Sequence, residues 1–331
     1  MTPKDNFMNS NSTSSLTVRV ARKIFEAVDI CTFDLISADG TPLPSFSAGS
    51  HIDVHLPNGL TRQYSLCNDP AETHRYLIAV LKDPGTRGGS KAMHELVTEG
   101  DSLRISAPKN HFALAHEAKH SLLLAGGIGI TPILCMAERL SVADADFELH
   151  YCARSRDRMA FHNRIRRSIF SPKTAFHFDD GDVAQKLQLD ALLGTLQLGT
   201  HLYVCGPKGF MDTILANARA CGWPEAQLHY EFFAAELVKS DADGSFDVKL
   251  ASSGEVVHVQ KDKTVVQALA DAGVEIQTSC EQGVCGTCLT RVLEGEPEHR
   301  DMYLTPEEQA ANDQFLPCCS RAKSPLLVLD L

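Results

Sequence analysis

The first hundred residues contain short runs in which apolar and polar positions alternate. Turn sequences such as Pro-Asn-Gly, Asn-Asp-Pro and Glu-Gly-Asp separate these runs. Alternation with a period of two, bounded by turns, is typical of β-strands. Many short strands in succession predict a small antiparallel barrel. The predicted strands cover residues 50–56, 63–66, 76–81 and 102–105.

The pattern changes near His120. The apolar run of residues 121–125 is continuous, as in a strand that is covered on both faces of a sheet. A helical pattern follows over residues 133–140, with Thr131 suited to the N-cap and Pro132 to the first turn. Two more strands are predicted at residues 147–152 and 201–205, with a helix ending at Cys221-Gly222. This alternation of strands and helices predicts a doubly wound parallel sheet.

The C-terminal part of the chain has a third pattern. Two strands at residues 246–250 and 256–259 flank Ser-Ser-Gly, which predicts a hairpin, and Thr264 caps a helix that runs through Ala272. The first fifteen residues are rich in Asn, Ser and Thr and predict a disordered lead, not a signal peptide. The predicted division is a lead (1–15), a barrel (16–115), an α/β domain (116–233), a polar linker (234–244) and a C-terminal domain (245–331).

The composition is that of a globular chain. Its 331 residues suffice for two or three domains, and 44% of them are hydrophobic and 22% charged. No apolar run is long enough to span a membrane, so no membrane partner is expected. The net charge of −11 is concentrated in residues 236–331, where 8 Lys and Arg stand against 17 Asp and Glu. This acidity argues against a nucleic acid partner. Steering of a protein partner that has a basic docking surface, and simple solubility of the domain, are equal alternatives for its role.

Cysteines form the most specific motif. Cys280, Cys285 and Cys288 have the spacing Cys-x4-Cys-x2-Cys, and 29 residues separate Cys288 from Cys318. This is the plant-type spacing of the four thiolates that hold a [2Fe–2S] cluster, which carries one electron at a time. A zinc site, the alternative, usually has two Cys-x2-Cys pairs, and only one is present. Cys319 competes with Cys318 as the fourth ligand.

The other cysteines are scattered singly, and the total of eleven is odd. A disulfide framework is therefore not expected, and a reducing cytoplasm fits thiolates that must stay reduced. Within the motif, Gly283 and Gly286 suit a tight loop that aims backbone N–H groups at the sulfides.

Two stretches of the barrel region suit a flavin. In Arg62-Gln63-Tyr64-Ser65, the Arg can pair with a phosphate, and the Tyr shares its strand face and can cover an aromatic ring. Gly88-Gly89-Ser90 opens a helix, whose free N–H groups form an anion site. An ordinary strand and an ordinary loop are the alternatives for each stretch taken separately. Together they favour a flavin that carries phosphate.

Two later turns suit a nicotinamide dinucleotide. Gly126-Gly127-Ile-Gly129-Ile-Thr131-Pro132 follows an apolar strand and opens a helix, which is the context that a pyrophosphate needs. The turn departs from the usual Gly-x-Gly-x-x-Gly fingerprint. Cys205-Gly206-Pro207 ends a later strand, at the sheet edge where parallel sheets bind ligands. Nicotinamide contact and a buried strand thiol are equal alternatives for Cys205.

An arginine-rich run follows the strand at residues 147–152. It contains Arg154, Arg156, Arg158, Arg164, Arg166 and Arg167. Residues at a strand end of this kind contact the adenine ribose. An Arg there favours binding of NADPH, and an acidic residue favours NADH. A solvated helix face with one or two phosphate contacts is the stronger interpretation of the run.

Four motifs follow one another along the chain: Arg62-x-Tyr-Ser, Gly126-Gly-Ile-Gly-Ile-Thr-Pro, Cys205-Gly-Pro and the cysteine motif. Together they resemble the phthalate dioxygenase reductase family, and the vanillate O-demethylase reductase branch is the most similar part of it. The resemblance spans residues 16–331, including the ending Cys318-Cys-Ser-Arg-Ala-Lys-Ser-Pro-Leu-Leu-Val-Leu-Asp-Leu. It implies an N-terminal FMN barrel, a central NAD domain and a C-terminal plant-type ferredoxin of β-grasp fold. It also implies NADH as the electron donor, despite the arginines, with NADPH as the alternative.

The resemblance assigns roles to individual residues. Arg62 would bind the FMN phosphate, Tyr64 would lie along the flavin, and Ser65 would hydrogen-bond near flavin N5. Phe233, in Glu231-Phe-Phe, matches the family's flavin-stacking aromatic. The remaining implied flavin contacts are Gln63, Ala79, Val80, Gly88, Gly89 and Ser90. The implied dinucleotide contacts are Gly126, Gly127, Gly129, Thr131, Pro132, Arg154, Cys205, Gly206 and Pro207.

The expected function follows from electron counting. NADH gives two electrons as a hydride, the cluster takes one at a time, and a flavin connects the two. The sequence therefore predicts a reductase that feeds a separate Rieske-type oxygenase. The alternatives are a heme or diiron monooxygenase as the acceptor, and a flavin and iron–sulfur redox sensor. Catalytic contributions are expected from Ser65, Cys205 and Phe233, and no general acid or base is required.

Overall fold

A computed structural model describes residues 15–85, 88–194, 198–233 and 243–331. The predicted disordered lead lies outside these residues except for Ser15, which begins the first strand. The predicted linker, 234–244, lies outside them except for Asp243 and Gly244. These two are hydrogen-bonded to the C-terminal domain, Asp243 by Arg300 at 3.0 Å and the Gly244 carbonyl by Arg321 at 2.9 Å.

The N-terminal domain is an antiparallel sheet that closes on itself. Its elements are β1 (Ser15–Ala27), β2 (Ile30–Ser37), β3 (Ser50–His55), β4 (Thr61–Ser65), β5 (Tyr76–Leu81), α1 (Gly89–Leu96), β6 (Ser102–Ser106) and β7 (Lys109–Asn110). The strand order is β4-β3-β6-β1-β2-β5, and β7 pairs with β3. A bridge between Leu66 and Ile78 joins the two ends of this order. The barrel and its four predicted strands are confirmed.

The central domain is a parallel sheet with the order β10-β9-β8-β11-β12. Its elements are β8 (His120–Gly126), α2 (Ile130–Val142), β9 (Phe147–Ala153), α3 (His162–Arg167), β10 (Thr174–Phe178), α4 (Leu189–Leu193), β11 (Thr200–Cys205), α5 (Lys208–Ala220) and β12 (Leu228–Glu231). The order reverses between β8 and β11, and ligands bind at such a switch point in open α/β sheets. The predicted doubly wound sheet is confirmed.

The start of α2 differs from the prediction. Thr131 is not the N-cap, because residues 127–129 form a 3-10 turn that leads directly into the helix, and Gly129 caps it. The Thr131 hydroxyl instead donates to the Ile128 carbonyl at 3.1 Å. Pro132 does lie in the first turn, where its missing N–H costs little.

The C-terminal domain is a small mixed sheet with the order β14-β13-β19-β15-β17. Its elements are β13 (Phe246–Leu250), β14 (Val256–Val259), α6 (Val265–Asp271), β15 (Thr290–Glu294), β16 (Pro297–Glu298), α7 (Pro306–Ala311), β17 (Gln314–Phe315), β18 (Arg321–Ala322) and β19 (Leu326–Leu329). The predicted hairpin is confirmed as β13 and β14. Thr264 caps α6 in a capping box with Gln267, as predicted.

The cores show how the domains are joined. The barrel and the central domain share one apolar cluster, in which Ile30 and Leu77 of the barrel pack with Ile133 and Leu134 of α2. The C-terminal sheet has a separate core around Val248 and Leu327. Within the described part of the chain, no helix has both the length and the apolar character needed to cross a membrane.

Candidate functional site

A cavity of about 960 Å³ lies where the three domains meet. Arg62, Gln63 and Ser65 line it from the barrel, and the segment Tyr230–Phe233 lines it from the central domain. The C-terminal domain contributes Cys280, Gln282, Val284, Cys285 and Met302–Glu308. The cavity therefore brings the predicted flavin residues together with two of the predicted cluster ligands.

One end of the barrel site suits a phosphate. The side chain of Arg62 passes so close to Gly89 that a Cβ there would lie 2.7 Å from Arg62 Cγ. Gly88 has φ of 95°, which a glycine adopts without strain, and it turns the chain into α1. The guanidinium thus lies beside the first turn of a helix. The positive charge and the N-terminus of the helix are therefore placed to attract the same anion.

The residues that follow Arg62 face in alternate directions along β4. Gln63 and Ser65 line the cavity, whereas Tyr64 packs against the barrel core, and burial raises the pKa of its phenol. Ala79 and Val80 are buried on β5. The flavin contacts predicted for all of these residues remain predictions.

Glu231 and His51 complete the cavity near Ser65, and sequence reasoning missed both. The Ser65 hydroxyl donates to Glu231 Oε2 at 3.3 Å, and His51 Nδ1 lies 4.0 Å from Glu231 Oε1. Burial raises the pKa of Glu231 to about 7, against the opposing hydrogen bond from Ser65. Burial also lowers the pKa of His51 to about 4. The sequence did offer one indication of Glu231: it stands in Glu231-Phe-Phe, at the end of the predicted central domain and next to the predicted flavin-stacking Phe233.

The polar groups of this cavity fit a ligand that offers both donors and acceptors. His51 is 4% exposed, and neither of its ring nitrogens has a hydrogen-bond partner among the described residues. Such orphaned buried groups normally find a partner. Phe233 follows β12, is 37% exposed and lines the same cavity. A flavin ring satisfies this combination of hydrogen-bonding edges and an aromatic face.

The two predicted dinucleotide turns lie side by side at the switch point. Gly129 approaches the backbone of Cys205 and Gly206 so closely that no side chain would fit between them. A Cβ at Gly126 would lie 3.0 Å from Pro207 Cδ. Gly127 is open on its outer side, with φ of 53°. The glycines thus let two strand ends converge and leave backbone exposed for a pyrophosphate.

The other predicted dinucleotide residues differ in exposure. Cys205 has no accessible surface, and burial raises the pKa of its thiol well above the ordinary value. Thr131 and Pro132 are buried in α2. Arg154 is exposed directly after β9. Direct contact of the Cys205 thiol with nicotinamide therefore remains a prediction, as does the adenosine contact of Arg154.

The four predicted cluster ligands come together in one buried group. Hydrogen bonds from the thiols of Cys285 and Cys318 hold the pKa of Cys280 far below that of an ordinary thiol, and Cys318 also contacts Cys288. Each of the four is less than a tenth exposed. Cys319 bonds to the Leu316 carbonyl at 3.6 Å, so the geometry favours Cys318 as the fourth ligand.

The loop around the four cysteines turns tightly at two glycines. A [2Fe–2S] cluster needs four thiolates that are divided between two irons. Gly283 and Gly286 have φ of 72° and 70°, and a side chain at Gly286 would overlap Tyr303.

Comparisons with known proteins agree with this arrangement. Residues 248–323 match the 2Fe-2S iron-sulfur cluster binding domain family, and residues 104–228 match the N-terminal domain of dimethylamine monooxygenase subunit DmmA-like proteins. A vanillate O-demethylase oxidoreductase of Pseudomonas putida is 59% identical over 307 residues, which cover 92% of this chain and 96% of that protein.

Two solved structures are also similar. A phthalate dioxygenase reductase, described as a modular structure for electron transfer from pyridine nucleotides to [2Fe-2S], aligns with a TM-score of 0.77 at 38% identity. The alignment covers 96% of this chain and 98% of that one. An intact type IV self-sufficient cytochrome P450 monooxygenase aligns with a TM-score of 0.82 at 39% identity, over 100% of this chain but 43% of that one.

A flavin barrel, a nucleotide-binding parallel sheet and a plant-type ferredoxin around one cavity define an iron–sulfur flavoprotein reductase. The chain belongs to the phthalate dioxygenase reductase family, in the branch of the vanillate O-demethylase reductases. It is an NAD(P)H-dependent flavin iron–sulfur reductase component of an oxygenase system.

Proposed function

We propose that the protein passes electrons from NADH through FMN and a [2Fe–2S] cluster to a separate Rieske-type oxygenase. The observation that carries the proposal is the single cavity where Arg62, Ser65, Phe233 and Cys280 meet. When bound, the flavin accepts a hydride and releases electrons singly, which the cluster requires. The working domains are residues 16–115, 116–233 and 245–331.

The side chains in this scheme bind and orient. Arg62 and the first turn of α1 hold one phosphate group, which supports FMN. Ser65 and Glu231 offer hydrogen bonds at the ring, and Phe233 covers its face. The turns at Gly127 and Gly206, at the switch point of the central sheet, would hold the dinucleotide. Their contribution is mainly proximity and orientation.

The decisive experiment is an anaerobic titration of the purified protein with NADH, followed by its visible absorption. Uptake of about three electrons per chain, two by the flavin and one by the cluster, is expected. A flavin that bleaches while the cluster does not would contradict the electron path and favour the redox sensor. Released flavin, identified by chromatography, separates FMN from FAD.

A heme monooxygenase is a second candidate acceptor, because the similar P450 chain carries a comparable reductase within one polypeptide. Reconstitution decides between the two acceptors. The reductase is mixed with a vanillate-demethylating Rieske oxygenase or with a P450 heme domain, and NADH consumption coupled to product is measured. Coupling to the P450 domain only would overturn the Rieske assignment.

A further inference from the structure

The contact between the barrel and the cluster loop is centred on a buried carboxylate. Asp53 of β3 is 7% exposed, and Ser279, the residue before Cys280, is 3% exposed. The Ser279 hydroxyl donates a hydrogen bond of 2.6 Å to Asp53 Oδ1. A hydrogen bond to a charged acceptor is stronger than a neutral one. It ties the flavin barrel to the neighbour of a cluster ligand.

Asp53 is held in place by its own domain. Gln63 Nε2 donates to Asp53 Oδ1 at 3.0 Å, and Lys109 Nζ lies 2.8 Å from Asp53 Oδ2. Asp53 is also directly opposite Gln63 in the pairing of β3 with β4. The carboxylate therefore presents a fixed acceptor to Ser279, and it keeps two partners when that hydroxyl is removed.

A second contact lies on the other side of Cys280. Glu281 Oε2 is 3.7 Å from Arg62 Nη2, so the residues before and after this ligand both bind the barrel. Arg62 and Gln63 are adjacent on β4. The cluster domain has a core separate from the core that the other two domains share. Polar contacts at Cys280 are thus placed to set its distance from the flavin site.

We propose that Asp53 is a positioning residue for electron transfer from the flavin to the cluster, and that it acts by holding Ser279 and hence Cys280 at the cavity. The proposal rests on the proposed function for its electron path. It assigns Asp53 no contact with the reacting atoms. The distance between centres depends on docking, and losing this bond shifts the docking equilibrium by about tenfold to a hundredfold.

The test uses Ser279→Ala in the complete holoprotein, with Ser324→Ala as the matched control. Ser324 is a hydroxyl of the same domain whose bonds are internal, to the Leu326 carbonyl and the Glu296 N–H. Stopped-flow absorption is expected to show unchanged flavin bleaching by NADH and cluster bleaching slowed by up to about tenfold. Amide hydrogen exchange is expected to quicken in residues 50–55 and 276–282, and only in Ser279→Ala.

Two further variants keep the test decisive. Ser279→Thr restores the hydroxyl and is expected to restore both readouts. Asp53→Ala removes the hydrogen-bond acceptor in the barrel. This variant is expected to show the same slowed electron transfer to the cluster and to keep its full iron content. Unchanged cluster bleaching in Ser279→Ala and Asp53→Ala would overturn the proposal. Loss of iron from Ser279→Ala would overturn it also, because the hydroxyl would then serve cluster retention.

The outcome can be told apart from a failure of the proposed function. A wild-type protein whose flavin is not bleached by NADH would contradict the electron path. Hydrogen exchange would still decide the docking contact, because it requires no turnover. Equal exchange in Ser279→Ala and wild type would overturn the contact whatever the electron path.

Discussion

At the scale of single residues, Arg62 contacts two different parts of the molecule. It packs over Gly89 beside the first turn of α1, and the same guanidinium reaches Glu281 of the cluster loop. One side chain therefore makes a domain contact and also lies at the proposed phosphate site. Lysine is a poor replacement, because it lacks the planar fork that binds phosphate in two places.

Replacement of Arg62 by Ala should weaken flavin binding by about tenfold to a hundredfold, the effect of losing a hydrogen bond to a charged group. Titration of apoprotein with FMN measures the dissociation constant. Arg104→Ala, which changes an exposed side chain of β6, is the control and should bind FMN as the wild type does. Equal FMN dissociation constants for Arg62→Ala and Arg104→Ala would show that Arg62 does not bind the phosphate.

Cys285→Ser should lose the cluster and with it the reduction of cytochrome c, while NADH still bleaches the flavin. Cys319→Ser should keep the cluster, because Cys318 contacts Cys280 and Cys288, whereas the Cys319 thiol donates to the Leu316 carbonyl. Iron content and visible absorption measure both outcomes. A cluster lost from Cys319→Ser would reverse the assignment of the fourth ligand.

Glu231 should make stability depend on pH. Its pKa is raised from 4.5 to about 7 when the protein folds, because burial favours the neutral acid. This contribution to stability is complete below about pH 4.5 and is lost as the pH rises through about 7. The melting temperature of the wild type should therefore fall from pH 5.5 to pH 8 by more than that of Glu231→Gln. Parallel pH profiles would mean that the carboxyl is not buried neutral.

At the scale of elements, the turns after β8 and β11 depend on glycine. A methyl group at Gly129 would meet the carbonyl of Cys205, so the two strand ends would have to separate. Gly209, in the first turn of α5, has open space around its Cβ position. The two glycines are therefore a matched pair for substitution.

Gly129→Ala should destabilise the protein by about 1–3 kcal/mol through overpacking, and it should raise the KM for NADH. Gly209→Ala should be neutral or slightly stabilising, since Ala is the better helix former. Thermal unfolding and steady-state kinetics measure both effects. A Gly129→Ala protein of normal KM would show that the dinucleotide does not use this turn.

At the scale of the whole molecule, charge is segregated. Residues 236–331 carry 8 basic against 17 acidic residues, so the cluster domain is the acidic end of the chain. Complementary charges speed the encounter of transient partners. Salt at 0.1 M largely screens exposed charges that lie farther apart than about 10 Å. Docking of an oxygenase at the cluster domain should therefore respond to ionic strength.

Raising the salt concentration from about 0.05 to 0.5 M should slow electron transfer to the oxygenase, because the Debye length shortens. Flavin bleaching by NADH in the same protein should change little, since it needs no docking between proteins. Stopped-flow traces with and without the oxygenase give both rates. A flat profile for the partner reaction would rule out electrostatic steering.

The sequence by itself determined the barrel, the doubly wound sheet, the cluster motif and nine of the nineteen strands in the described residues. The β-grasp fold of the third domain was implied by the family resemblance. These features can be recognised from short segments of the chain. They depend on strand and helix periods, on turn glycines and on the spacing of Cys280, Cys285 and Cys288. The sequence also located Arg62 and the Gly126 turn, because each lies at the end of a recognisable element. It missed the true N-cap of α2, since Thr131 is a residue type that suits a cap but the preceding 3-10 turn moves the helix start back to Gly129.

Only the tertiary structure decided which distant side chains share the cavity. Ser65 and Glu231 are 166 residues apart, and Asp53 and Ser279 are 226 apart, yet both pairs are hydrogen-bonded. His51 became notable only because packing buried it without a partner. Such pairings depend on how three domains dock, and docking is set by surface complementarity that no local periodicity records.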